Sequence, residues 1–178
     1  MCAHLEYDVS GENSIGVKFV FDIGKDYPEF EAFIASYFWG KRIPYIWTSH
    51  DLVRPSIANG QQRFFPRDDA AAKQVDDGRW GFLKNVGLFA ENDGRNYRYP
   101  AILHYDDDDH WGLLQLVEPN ECAAVSINTF AYAQDFSLMG RDVKQGDQIV
   151  VRARVIWAEM GTPEASEEII ANTLKEWE

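Results

Sequence analysis

Two histidines bracket four consecutive carboxylates in the stretch His104-Tyr-Asp-Asp-Asp-Asp-His110. Imidazole nitrogens suit the softer divalent metals and carboxylate oxygens the harder ones, so His104, Asp109 and His110 form the candidate metal set of this chain. Ca²⁺ asks for about six to eight oxygens from a curved loop, whereas side chains of an extended Asp run alternate in direction, so that no more than about two or three converge. The competing use of the run is a solvated turn, because adjacent like charges repel and Asp has poor strand and helix propensity. Apolar runs flank it, with Ile102, Leu103, Trp111, Leu113 and Leu116 expected inside, and the whole reads as strand, acidic turn, strand. Apart from a divalent metal at this turn, no motif calls for a cofactor.

A second chemistry is available to the aromatic residues. Sugars present flat C–H faces that stack on rings, and their hydroxyls need Asp, Asn, Gln or Arg beside those rings. Trp47 with His50 and Asp51, and Asp77 with Arg79 and Trp80, have that local mixture, and Arg54 lies close to the first group. The expected ligand-binding residues are therefore Trp47, His50, Arg54, Arg79 and Trp80. The competing reading makes these rings, with Trp39, Tyr45 and Trp111, ordinary core. Carboxyls that could do acid–base work include Asp51, Asp76, Asp77, Glu118, Glu121 and the Asp106 to Asp109 run, but a glycoside-cleaving pair needs a separation of roughly 5–9.5 Å that spacing alone does not give. Gly-x-Ser-x-Gly, His-Glu-x-x-His and the phosphate-binding glycine loop are all absent.

Composition narrows the partners. With 29 acids against 17 bases the net charge is -12, which opposes nucleic-acid backbones and anionic membranes. Cys2 and Cys122 have no metal-type spacing and read as free thiols. The first residues lack a basic segment followed by an apolar one, and no run approaches the roughly 20 apolar residues of a membrane span, so a soluble, cytoplasmic protein is the default expectation.

The elements that must carry these residues are mostly strands. Ile15, Val17, Phe19, Phe21 and Ile23 alternate along one strand, and Leu5, Tyr7 and Val9 suggest an edge strand before it. Near the other end Ile149, Val151, Ala153, Val155 and Trp157 share a face, while Arg152 and Arg154 point the other way and pair with carboxylates across a neighbouring strand. Residues 28–39 fit two periods. Phe30, Phe33, Ile34, Tyr37 and Phe38 make a helical stripe with Asp26 as cap and Gly40 as stop, whereas Phe30, Ala32, Ile34, Ser36 and Phe38 alternate with Glu31, Phe33, Ala35 and Tyr37 as a strand; the local signs favour the helix. From 41 to 85 three prolines and several Asn, Asp and Gly residues break every element, giving a long irregular loop layer expected to wall a ligand pocket. Thr162-Pro-Glu opens a C-terminal helix over 163–177, with Ala165, Ile169, Ile170, Leu174 and Trp177 as its apolar stripe. The economical architecture over 1–178 is a single mainly β domain, an antiparallel β-sandwich with one C-terminal helix and an extra helix at 28–39.

Pro119-Asn-Glu-Cys, Asp135-Phe-Ser-Leu-Met-Gly and Asp142-Val-Lys-Gln-Gly-Asp-Gln-Ile-Val-Val-Arg-Ala-Arg-Val form a succession of polar turn, glycine, Asp and long arginine-bearing strand. This ending resembles the closing strands of galactose-mutarotase-like β-sandwiches, the group that includes aldose epimerases. The resemblance covers the last third of the chain and implies a sugar-related role on a sandwich scaffold; no catalytic residue is carried over, because the glutamate and histidines of the epimerases have no matching motif here. Three readings stay open. One is a carbohydrate-recognising or carbohydrate-processing sandwich that takes a sugar or other small polar ligand. Another is a non-enzymatic interaction or assembly module, a homo-oligomer included, and the third is a small metalloenzyme using His104 and His110.

Overall fold

The computed structural model describes residues 1–9, 11–37, 44–58, 61–76, 89–128 and 133–178. In chain order these form β1 (Cys2–Asp8), β2 (Ser14–Asp22), β3 (Tyr27–Tyr37), β4 (Tyr45–Thr48), β5 (Leu52–Val53), β6 (Gln61–Pro66) and α1 (Asp69–Asp76). There follow β7 (Phe89–Asn92), β8 (Tyr97–Tyr105), β9 (Trp111–Val117), β10 (Cys122–Asn128), β11 (Ala133–Val143), β12 (Gln148–Glu159) and α2 (Ser166–Trp177). The strands make a seven-stranded sheet in the order β1-β2-β12-β9-β8-β4-β5 and a five-stranded sheet in the order β3-β11-β10-β6-β7. Among the described residues every pairing is antiparallel except that of β6 with β7.

Period-two alternation builds two cores rather than one. Phe21, Ile102, Val117, Ile149 and Val151 of the seven-stranded sheet meet Phe65, Val125, Ile127, Phe136 and Leu138 of the five-stranded sheet, which is the sandwich interior. The intervening residues of the larger sheet, among them Leu103, Leu114, Leu116 and Ile156, face the other way and pack on Ile169, Ile170, Leu174 and Trp177 of α2. The C-terminal stripe thus docks on its own sheet. The helix starts later than its cap signal suggested: Pro163–Ala165 forms a 3₁₀ turn, no side chain caps it, and α2 begins at Ser166. The Trp47 indole N–H donates to Ser166 Oγ at 3.0 Å, tying the first turn of α2 to β4.

Three expectations need correction. The helix over 28–39 is instead β3, up to Tyr37; residues 38 and 39 lie outside the described ones. Pairing with β11 decides the ambiguity, because Phe30, Ala32 and Ile34 then reach the sandwich core, which a lone helix stripe could not do without leaving β11 as an edge. The loop layer at 41–85 holds regular elements among its described residues: β4 and β5 extend the larger sheet, β6 the smaller, and α1 follows. Ile46 turns to the sandwich core and Trp47 to the α2 side, so β4 is buried on both faces and shows no polar alternation. Trp111, expected inside, is 44% exposed at the start of β9.

The acidic turn is a turn. Asp106 donates its N–H to the Trp111 carbonyl, and His110 adopts φ 61° while donating to the Asp106 carbonyl. Asp106 and Asp109 use their carboxylates on the N–H groups of Asp108 and Trp111. Pro100 is tolerated inside β8 because the register shift of β4 between Ile46 and Thr48 leaves that position without a ladder partner. Among the described residues, no helix is long and apolar enough to cross a membrane.

Candidate functional site

Four polar side chains cluster on the outer face of the five-stranded sheet, the face turned away from the sandwich core. Asp135 lies opposite Ser126, Ser126 opposite Phe64, and Asn128 opposite Gln62, so β11, β10 and β6 bring these side chains to one face. Gln62 Nε2 donates to Ser126 Oγ at 3.0 Å and to Asp135 Oδ2 at 3.1 Å, and the Ser126 hydroxyl donates to the same carboxylate oxygen at 3.3 Å. Burial pushes the Asp135 carboxyl up to about 6, against hydrogen bonds from Ser126 and Asn128 that pull it down. Gln62 Oε1 is buried and accepts no hydrogen bond among the described residues.

The same face is aromatic at its edge. Across β11, Phe33 lies opposite Ser137 and Tyr37 opposite Ala133, so both rings share the Asp135 side of the sheet. They are 43% and 66% exposed. The Ser137 hydroxyl donates to the Glu31 carboxylate beside them. Two accessible rings next to a carboxyl that changes charge near pH 6 combine stacking surface with a group able to give or take a proton. Sequence reasoning missed this cluster because it is assembled from three strands whose register only the fold supplies. The one available signal was the run of Ser126, Asn128 and Asp135 among apolar neighbours.

Of the residues expected to bind ligand, Trp47, His50 and Arg54 are described. Trp47 is 7% exposed, edge-on to Tyr99 at 6.2 Å between ring centres, and packs in the core under α2. His50 is exposed at the β4–β5 turn. The Arg54 guanidinium lies over the Tyr45 ring at 4.3 Å and 3.7 Å from Asp107. Arg79 and Trp80 lie outside the described residues, as does Trp39.

The candidate metal ligands do not converge. His104 faces the sandwich core and hydrogen-bonds Gln134, which in turn accepts from Gln115. Burial, with the charge of Arg54, holds its imidazole below the usual value, and the Gln134 bond opposes this. His110 instead bonds the Tyr105 hydroxyl through Nδ1 at 2.8 Å on the α2 side of the sheet. Asp109 is turned to the Trp111 N–H. Among the described residues no three His, Cys, Asp or Glu side chains are placed to hold a metal ion. His104 and Tyr105 are neighbours on β8 and point to opposite faces, and His110, in the turn, bonds Tyr105, so the two histidines lie on opposite sides of the sheet.

A concavity lies at the β1–β2–β12 end of the larger sheet. This open groove, of about 240 Å³, is lined by Glu6, Asp8, Lys18, Arg152, Arg154 and Trp177, among others. Its cations are already paired. Lys18 meets Glu6 at 3.1 Å, Arg152 meets Glu118 at 3.2 Å, and Arg154 meets Glu176 of α2 at 2.5 Å while lying over the Trp177 ring. Arg152 thus pairs across to the end of a neighbouring strand as the sequence suggested, whereas Arg154 finds its partner on the helix.

No family model matches the chain, and no curated protein matches it. Its fold does match that of the Slr1438 protein from Synechocystis sp. PCC 6803, with a TM-score of 0.52 at 10% identity over 88% of this chain and 54% of that one. Two proteins described as "putative aldose 1-epimerase" are also similar. The one from Klebsiella pneumoniae has a TM-score of 0.42 at 12% identity and covers 97% of this chain and 50% of that one. The one from Escherichia coli K12 has 0.38 at 7%, covering 89% and 65%. The chain therefore spans about half the length of the first of these structures. The class is a mainly β, two-sheet sandwich carrying one C-terminal helix. At these identities the likeness concerns fold alone.

Proposed function

We propose that the protein recognises a carbohydrate on the outer face of the five-stranded sheet, with Phe33 and Tyr37 as stacking surface and the Asp135 carboxyl as hydroxyl partner. The observation that supports this reading is the placement of a carboxyl titrating at about 6 on the same face as two exposed rings. A monosaccharide needs an apolar plane beside a hydrogen-bonding group, and this face sets two exposed rings beside the largely buried Asp135 carboxyl. The buried cluster behind Asp135 holds the carboxyl in one orientation, so it meets a hydroxyl without reorganising. A carboxyl with both forms populated near neutrality also suits proton exchange with an aldose hydroxyl, which makes processing of the sugar the second reading.

Isothermal titration calorimetry against a panel of mono- and oligosaccharides tests the proposal. At least one sugar is expected to bind, and Tyr37→Ala to weaken it about three- to tenfold, the value of one ring contact. Trp177→Ala, in the separate groove, should leave binding unchanged. A panel without any binder counts against the proposal, and so does binding that survives Tyr37→Ala but is lost in Trp177→Ala.

A further inference from the structure

Among the described residues the two sheets expose four edge strands, and three of them are poor templates for pairing. β5 has two residues and β7 four. β3 carries Pro28, a positive φ of 51° at Glu29 and two register shifts against β11. Each of these features blunts an edge. β1 has none of them. Its seven residues pair with β2 in unbroken register, all seven are exposed, and no proline, lysine or bulge interrupts the strand.

The sequence of β1 is complementary to itself. Antiparallel pairing requires both residues of a pair to turn the same backbone edge toward the partner, so two copies of one strand meet only in registers where the paired numbers sum to an even value. The register summing to ten uses the whole strand: Cys2 opposite Asp8, Ala3 opposite Tyr7, His4 opposite Glu6 and Leu5 opposite Leu5. It sets two imidazole–carboxylate pairs on one face and an Ala-Leu-Tyr row from each copy on the other. Within one chain His4 already lies 3.5 Å from Asp22 and Glu6 3.1 Å from Lys18, so the new pairs would continue a row of alternating charge across the joint. Leu5 and Tyr7, 49% and 66% exposed in one chain, would cover each other on the opposite face. The neighbouring even registers set His4 against His4 or Glu6 against Glu6, so the charges select the central one.

We propose that β1 pairs with β1 of a second copy about a two-fold axis at Leu5, joining the two seven-stranded sheets into one continuous sheet. The occupant of this edge is a second copy of the chain rather than an unrelated peptide, because the complementarity is internal to the strand. The axis lies away from the outer face of the smaller sheet, so pairing and sugar recognition are independent.

Sedimentation equilibrium on the full chain tests the pairing. The wild type is expected to be dimeric at high concentration. Leu5→Lys and Leu5→Glu, which place like charges against each other at the axis, are each expected to be monomeric, and their equimolar mixture to recover the dimer. His4→Glu should weaken association about tenfold, as two unfavourable cross-strand pairs require. Leu5 is exposed, so circular dichroism of both variants should match the wild type. A wild type that stays monomeric overturns the proposal. So does a dimer that persists in both single variants, or a mixture that fails to reassociate.

Discussion

Replacing Asp135 by asparagine should change how stability depends on pH, and the size of the change follows from the site. The carboxyl is held at about 6 in the folded chain against 3.8 for the free side chain, because burial opposes its ionisation more than Ser126 and Asn128 support it. The fold therefore prefers the protonated form. The stability this group contributes is complete below 3.8 and is lost as pH rises through about 6. A difference of roughly two pH units corresponds to about 3 kcal/mol at neutral pH. The asparagine has nearly the same shape and offers an oxygen to Gln62 Nε2 and the Ser126 hydroxyl, but it carries no proton to lose. His104 works in the opposite sense, since its imidazole is held below 6.5 and its contribution is lost as pH falls. It is common to both proteins and cancels in their difference. Urea unfolding of wild type and Asp135→Asn on either side of this range should show the variant gaining about 3 kcal/mol relative to wild type from acid to neutral pH. A difference that is flat, or that falls with pH, refutes the buried-carboxyl reasoning.

Other consequences can be measured with simpler changes. Ser166→Ala leaves the buried Trp47 indole N–H without its acceptor and should cost about 1–3 kcal/mol in urea unfolding; a loss within error of zero would mean that this bond does not hold α2 to the sheet. Thiol titration of the native protein should count one reactive cysteine, the exposed Cys2, because burial pushes the Cys122 thiol up to about 12; urea should release the second, and two fast thiols in the native state would contradict the packing. Polarimetry of a freshly dissolved aldose should show faster approach to anomeric equilibrium with wild type than with Asp135→Asn if the face processes what it binds, and equal rates would restrict the site to recognition.

The sequence displayed most of the sandwich and little of the site. β2 and β12 were legible because Phe19, Phe21, Ile149 and Val151 face one core while Lys18 and Arg152 face outward, which is the alternation a half-buried strand must have. β3 was not, since Phe30, Phe33, Ile34 and Tyr37 satisfy both the helical and the strand period; only β11 arbitrates. β4 was hidden by being buried on both faces, and its Trp47 looked available to a ligand for the same reason. Asp135, Ser126, Asn128 and Gln62 come from three strands, and their polar alternation resembles an ordinary solvent face until the register sets them side by side. His104 and His110 show the reverse case, close in sequence and apart in space.

The central claim is that sugars meet this protein at the outer face of the five-stranded sheet, and residue-resolved NMR titration with a bound saccharide reads it directly. The account predicts amide shifts concentrated at residues 31–37 of β3 and 133–137 of β11, with the signals of Lys18, Ala153 and Trp177 unmoved. Shifts confined to Lys18, Ala153 and Trp177, or a spectrum that no saccharide perturbs, would contradict it.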